Sequence, residues 1–318
     1  MRVLLMGGTR FMGRYAIDGL LAAGHDVWVF NRGTRPLPDH PRVTAVLGDR
    51  NDPASHAVLS ALDLDAVVDF SCYTPQQASN AVAALPDIGT YVLISTGAVY
   101  SPAAILPWGE STPLGPWVLW GDYAVNKLAA EQVVTAARAT HSTVILRFPY
   151  VLGPGNYADR EEFLFNRILD GAEVLIPGDG TAVQQVISAR DAAAVAVRSL
   201  DLEGLGGAFN AANPDEFVSV VGLVHMCAEI AGREATVRHV GGGITGTGSD
   251  VFDAANSVFP FPAANYVLDT RAAEGSGLLP RVTPLAETLA ESFDYLLTNP
   301  ERRTWTRTQA ETAALARL

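Results

Sequence analysis

The sequence predicts a doubly wound α/β fold, a parallel sheet covered by helices on both faces. Three observations lead there. Short apolar runs alternate with helix-like stretches from the first residue onward, the order that right-handed strand–helix–strand crossovers produce. The first apolar run ends in glycines that lead straight into a helical pattern. Hydroxyl-bearing residues close the fifth run, and the carboxyl ends of strands are where open α/β sheets collect ligands.

The elements follow in order. "RVLLMGG" is apolar without alternation, as a strand buried on both faces should be. "MGRYAIDGLLAAG" carries helical spacing and stops at Gly24. "DVWVFNRG", "VTAVLGD", "AVVDFSC", "YVLISTGAVY" and "STVILRFPYVLG" read as strands two to six, with helices between them that include 75–85 and 122–140. Beyond about Gly155 the alternation loosens. Helical patterns near 160–170, 189–200, 217–232 and 284–297 are separated by Gly/Pro-rich pieces. "GGGITGTGS", 241–249, reads as a loop or a lid, and 301–318 as a surface helix. The expected organisation is a Rossmann-type dinucleotide-binding part, 1–155 plus part of 180–215. A smaller C-terminal α/β substrate-binding part would take 156–179 and 216–300, and 301–318 would be a helical tail.

Composition narrows the function. The 318 residues are 48% hydrophobic and 18% charged, with a net charge of −12. That balance suits a globular enzyme and argues against a broad nucleic-acid or anionic-membrane footprint. Cys72 and Cys227 lie far apart and the six histidines are scattered, so neither a disulfide framework nor a metal site is expected. "MRVLLMGG" is too short for a secretion signal, and no apolar run reaches the length of a membrane span. The expected setting is the reducing cytoplasm.

"MGGTRFMG" places Gly7 and Gly13 at the ends of a G-x-x-x-x-x-G spacing between strand and helix. Glycine permits the tight turn and lets a pyrophosphate approach the backbone at the helix N-terminus. Arg10 holds the place of the usual middle glycine. At the end of the second strand an acid would bind a ribose 2′-hydroxyl, whereas arginine would pair with a 2′-phosphate. Here Asn31 and Arg32 stand there, with Arg10 as a second phosphate partner, so NADP is favoured over NAD. Arg32 read alone is also compatible with a plain surface position. Asp49 can bind an adenine amino group or cap the next helix.

Lys127 is the only lysine; the other 21 of the 22 cationic side chains are arginine. It follows Tyr123 by four residues, so both project from one helical face. A phenol is a poor base at neutral pH, and an adjacent ammonium together with a cationic nicotinamide ring favours its phenolate. Tyr123 could then exchange a proton with an oxygen whose carbon exchanges hydride. Ser95 and Thr96 end the fifth strand, where a hydroxyl can orient that oxygen, although strand-end Ser and Thr are commonly structural.

Gly7 to Gly13, Asp49, "STGAVY", Tyr123-x-x-x-Lys127, "LRFPYVLGPG" and "PGDG…VISARDAA" together resemble the extended short-chain dehydrogenase/reductase superfamily, the NAD(P)-dependent epimerase/dehydratase group, over most of the chain. "GGTRFMG" with "VFNRG" is similar to an atypical branch that includes bacterial reductase-like proteins and chloroplast stem-loop RNA-binding proteins. The resemblance implies Thr96, Tyr123 and Lys127 as the catalytic set. It places Gly7, Gly13, Arg32, Asp49 and Ser71 on cofactor-binding positions, and the expected cofactor site as a whole also takes in Gly8, Thr9, Arg10, Phe11, Met12, Asn31, Arg50, Tyr123, Lys127 and Tyr150. Relatives commonly form homodimers.

Departures from the family pattern bear on substrate. Gly97 and Ala98 replace the Asp-Glu pair of sugar-nucleotide dehydratases, which removes an elimination acid and base. Tyr150 stands where a substrate-contacting asparagine is common, and Gln184 where an arginine grips diphosphate. No Lys or Arg lies between His239 and Thr270. Arg147 is expected to brace the sheet. Arg160 is then the best partner for an anionic substrate group, or else a helix-surface ion pair. Trp108, Trp117 and Trp120 either wall a flat substrate or pin a loop. Thr96, Trp120, Tyr150, Arg160 and Gln184 make up the expected substrate set. The first reading is a ketoreductase or dehydrogenase acting on a sugar-like, sugar-nucleotide or natural-product substrate. The alternatives are an NAD-retaining epimerase and a non-catalytic nucleotide- or RNA-binding relative.

Overall fold

The computed structural model describes residues 1–138, 142–241, 256–279 and 282–317; most of the 241–249 loop therefore lies outside the described residues. The chain runs β1 (Arg2–Met6), α1 (Met12–Ala22), β2 (Asp26–Asn31), β3 (Val43–Leu47), β4 (Ala66–Asp69), α2 (Pro75–Ala84) and β5 (Thr90–Thr96). It continues through α3 (Gly121–Ala137), β6 (Ser142–Phe148), β7 (Tyr150–Leu152), α4 (Glu161–Leu169), β8 (Val174–Pro177), β9 (Val183–Gln184), β10 (Val186–Ser188) and α5 (Ala189–Arg198). Then come β11 (Gly207–Asn210), β12 (Val218–Ser219), α6 (Val220–Ala231), β13 (Val237–Val240), α7 (Arg271–Gly275), α8 (Leu285–Thr298) and α9 (Gln309–Leu315).

Seven strands form one parallel sheet in the order β11-β6-β5-β4-β1-β2-β3. The chain winds outward from β1 in one direction, then restarts at β4 in the other. Loops leaving β1 and β4 therefore part at their carboxyl ends and open the crevice expected at such a switch point. The unbroken apolar run of β1 is explained by its two faces. Val3 and Leu5 enter the core under α1 and α5, while Leu4 and Met6 enter the one under α2 and α3. β5 divides in the same way, with Val92 and Ile94 on one side and Tyr91 and Leu93 on the other.

Three two-stranded pieces lie outside this sheet. β7 and β10 pair in parallel, as do β8 and β13, while β9 and β12 pair antiparallel. These pieces and α4, α6 and α8 surround a third core that includes Phe163, Phe165, Phe259, Phe261, Tyr266 and Leu268.

The end of the chain differs from the surface helix its pattern suggests. A 3-10 turn spans Pro300–Arg303, and the helix covers only Gln309–Leu315. Its inner face is buried because Glu311, 0% exposed, meets Arg167 of α4, 1% exposed. Arg167 donates through Nε at 2.8 Å and through a terminal nitrogen at 2.6 Å. Its guanidinium also lies over the rings of Phe163 and Trp305. Arg167 is thus spent inside the fold. No described helix is long and apolar enough to cross a membrane.

A buried ion pair costs most when one partner is removed, since the other charge stays desolvated and unpaired. Glu311→Ala is expected to lower unfolding free energy by about 3–5 kcal/mol in denaturant titrations. Arg271→Ala, which breaks the exposed pair with Asp269, should leave the denaturation midpoint nearly unchanged.

Candidate active site

Two adjoining cavities run along the carboxyl edge of the sheet. The first, about 480 Å³, is lined by residues 7–13, Asn31, Arg32, Asp49, Arg50 and Ser71. The glycines there are fixed by close approach. A Cβ on Gly13 would stand 2.1 Å from the Gly8 Cα, and one on Gly7 would stand 3.1 Å from the Ser71 hydroxyl. Only glycine lets β1, α1 and the loop after β4 close up this far.

Several features of this cavity fit a bound dinucleotide. α1 begins at Phe11 without a side-chain cap; the Gly13 and Arg14 N–H groups donate to the Arg10 and Phe11 carbonyls at 3.0 and 3.1 Å, and the positive end of the helix dipole meets the cavity with no side-chain acceptor at its cap. Phe11 also carries the single positive φ, 50°, of the described non-glycine residues, a backbone outlier of the kind that gathers at ligand sites. The buried Asn31 Nδ2 has no hydrogen-bond partner among the described residues. Arg10, Arg32 and Arg35 are exposed on the rim, and none forms an ion pair among the described residues. Arg35 and Thr34 line the cavity as well. Sequence reading passed over them because they lie beyond the strand end that a ribose motif marks.

Two predicted members of this cavity are engaged within the protein. Arg50 donates to Asp69 at 2.6 and 3.0 Å and to the Ser71 hydroxyl at 2.7 Å. Ser71 in turn donates to the Met6 carbonyl at 3.1 Å. The Asp69 carboxylate is wholly buried. Its burial would raise its pKa, but the Arg50 guanidinium outweighs this and holds it below the usual range. Asp49 accepts from the Asn51 backbone at 2.9 Å, whereas the cap of the following turn is Asp52.

The second cavity, about 460 Å³, contains Thr96, Tyr123, Lys127, Tyr150, Trp120 and Arg160 in its lining. Both cavities share Phe11, Met12, Phe70, Tyr73 and Tyr157. Tyr157 spans the junction, with its hydroxyl 3.3 Å from that of Tyr73 and the Arg10 guanidinium over its ring.

α3 is held rigidly against the sheet. Lys127, 4% exposed, donates to the Cys72 carbonyl at 2.7 Å and to the Ile94 carbonyl at 2.6 Å. One turn on, Glu131 accepts from Arg147 of β6 at 3.1 and 2.6 Å and from Ser95 of β5. Arg147 reaches on to the Tyr100 hydroxyl at 2.9 Å. Tyr123 projects into the cavity one turn before Lys127, where the helix has no such ties.

The expected phenolate depends on the lysine together with a cationic nicotinamide ring; the chain's own groups by themselves act in the other direction. Burial pushes the Tyr123 phenol up to about 12, Tyr157 adds to the rise, and the Thr96 hydroxyl and Arg160 offset part of it. The residue is nevertheless 42% exposed, and much of its surface meets the cleft. The direction of the shift therefore carries the chemistry: the chain's own groups keep Tyr123 a neutral phenol. The Lys127 ammonium is anchored to two carbonyls, and burial lowers its pKa. Lowering the phenol requires positive charge from outside the polypeptide.

The remaining predicted residues divide. Arg160 is not ion-paired among the described residues; it donates to the Pro260 carbonyl at 3.2 Å and stacks over Tyr150 at 4.7 Å. Trp120 lines the cavity, while Trp108 is buried and donates to the Ala104 carbonyl at 3.3 Å, pinning the loop. Trp117 packs on the third core. Gln184 lines neither cavity. It is 0% exposed and donates to the Pro262 and Ala264 carbonyls. Tyr266, which sequence reading missed, lines the cavity beside Thr96. Among the described residues no group of His, Cys, Asp or Glu is arranged to hold a metal ion.

A difference titration checks the electrostatics. Tyrosinate absorbance of the wild type minus Tyr123→Phe, each without added nucleotide, should show no ionisation of Tyr123 below about pH 11. A transition near pH 10 would show an unshifted phenol.

Comparison with known proteins agrees with this geometry. The model of the NAD dependent epimerase/dehydratase family matches residues 3–212. The chloroplast stem-loop binding protein of 41 kDa b from Arabidopsis thaliana is 26% identical over 245 residues, 73% of this chain and 63% of that protein. The 2'-dehydrokanamycin reductase of Streptomyces kanamyceticus is 31% identical over 202 residues, 61% of this chain and 56% of that protein. This chain thus matches less than two thirds of the length of either relative. The Bordetella bronchiseptica enzyme WbmH, solved with NAD+, superposes with a TM-score of 0.75 at 24% identity, covering 93% of this chain and 98% of that one. The chain belongs to the NAD-dependent epimerase/dehydratase family.

Proposed function

We propose that the protein is an NADP-preferring oxidoreductase that reversibly reduces a ketone on a ring-shaped, sugar-like or natural-product substrate. The observation that carries this reading is the convergence of Thr96, Tyr123 and Lys127 on one cavity that continues into the glycine-lined one. A binding protein has no need of a hydroxyl, a phenol and a buried ammonium at a shared opening.

The family's cofactor, when bound, supplies hydride and a positively charged ring in its oxidised form. Residues 7–13 would cradle its pyrophosphate at the α1 terminus. Asn31 Nδ2, Arg32 and Arg35 would receive its ribose and 2′-phosphate. Lys127 has one ammonium proton beyond the two given to carbonyls, and can present it to a ribose hydroxyl. Thr96 would orient the substrate oxygen. Tyr123, held as a phenol, would donate its proton to that oxygen during reduction and recover it in the reverse direction. Arg160 makes the rim of the cavity positive, and its stacked guanidinium suits a polar or monoanionic substituent.

Tyr123→Phe removes the proton donor while preserving the ring. Turnover should fall about 10²–10⁴-fold with cofactor affinity nearly intact, measured by nicotinamide absorbance and by fluorescence titration. Full activity in this variant would contradict the assignment. Arg32→Ala should weaken NADPH binding by about tenfold or more and NADH binding far less. Equal loss for both would contradict the 2′-phosphate reading.

A further inference from the structure

The space beside the catalytic threonine is filled in a way the sequence could not show. A Cβ on Gly97 would lie 2.6 Å from the Tyr266 hydroxyl and 2.7 Å from a Leu268 methyl. Residue 97 therefore has room for no side chain, and Tyr266 takes the volume that one would need. Its hydroxyl sits within reach of Thr96, the residue that orients the reacting oxygen. Tyr266 is also held in one place. Its backbone N–H donates to the Val183 carbonyl at 2.8 Å, its carbonyl accepts from Gln185 at 3.0 Å, and its ring contacts Trp108, Trp120 and Tyr150.

Tyr150 gives a second, independent sign. It is 6% exposed and lines the same cavity, yet its buried hydroxyl has no hydrogen-bond partner among the described residues. A buried hydroxyl without a partner is costly, and a polar ligand atom in the cavity that Tyr150 lines would relieve that cost. The Tyr150 and Tyr266 rings lie 5.2 Å apart, and both residues line the cavity that holds Thr96.

We propose that Tyr266, with Tyr150, determines specificity by donating hydrogen bonds to a second substrate oxygen next to the reacting one, so that the site selects ring ketones oxygenated on the neighbouring carbon. This rests on the reductase reading above. In the reaction, hydride adds to the ketone carbon, the C=O π electrons move to oxygen, and that oxygen takes the Tyr123 proton. Tyr266 and Tyr150 keep their protons and act only as donors. Burial pushes both phenols up, which keeps them protonated.

The test compares NADPH-dependent reduction of 2-hydroxycyclohexanone and cyclohexanone by the full chain. Wild type should favour the hydroxyketone by about tenfold in kcat/KM, the worth of one added hydrogen bond. Tyr266→Phe keeps the ring and should bring the ratio to within about threefold, with the loss expressed mainly in KM for the hydroxyketone. Gly97→Ala, which displaces the Tyr266 hydroxyl, should act in the same direction while NADPH affinity is kept. An undiminished preference in Tyr266→Phe would overturn the proposal and leave the reductase reading standing. Reduction of neither ketone by NADPH-loaded wild type would instead overturn that reading, and the proposal with it.

Discussion

The site depends on one buried ammonium. Lys127 lies at the junction of α3 with the loop after β4 and the end of β5, tied to the Cys72 and Ile94 carbonyls. Those carbonyls sit where the sheet's own ladder ends, and water does not reach them to serve as a substitute. The ammonium therefore does two things together. It satisfies backbone acceptors that would otherwise be orphaned, and it fixes the helix so that Tyr123 emerges one turn earlier at the mouth of the cleft. Arginine, with a longer planar fork, would not fit two carbonyls at this point and still leave a slim charge facing the cavity. A chain that uses arginine at every other cationic position keeps lysine here for that geometric reason.

Rigidity elsewhere follows from the same logic of satisfied burial. Glu131 and Arg147 hold the next turn of α3, Asp69 and Arg50 join the ends of β3 and β4, and Arg167 and Glu311 clamp the final helix onto α4. In each case a charge is removed from water only with a bidentate partner, which is the arrangement in which burial is tolerated. The cations at the rim, Arg10, Arg32, Arg35 and Arg160, lack such partners among the described residues. The contrast separates the charges that hold the fold from those that line the two cavities.

Much of this was legible in the amino-acid order. The sheet could be read because each central strand is apolar on both faces and each is followed by a turn rich in glycine or hydroxyl residues. Tyr123 and Lys127 could be read because a helix brings residues four apart together. What stayed hidden depends on long-range packing. Tyr266 reaches Thr96 from a distant loop, and nothing in its neighbourhood of sequence marks it. The Arg167–Glu311 pair spans 144 residues, so the tail looked like surface. Gln184 falls at a position aligned with a ligand contact, but the backbone of 262–264 captures it. The i,i+4 spacing of Tyr123 and Lys127 likewise does not show that two backbone carbonyls hold the ammonium and that burial raises the phenol.

The central claim is that the glycine-lined cavity and the Thr96–Tyr123–Lys127 cavity together form an NADP-preferring redox site. The most direct measurement is mass spectrometry of nucleotide released from the purified, acid-denatured protein, followed by NADPH and NADH titrations of the stripped protein. The account predicts tighter binding of NADPH than NADH. Tightly retained NAD with no affinity for NADPH would contradict the cofactor preference and favour a recycling epimerase, and binding of neither would contradict the redox site itself.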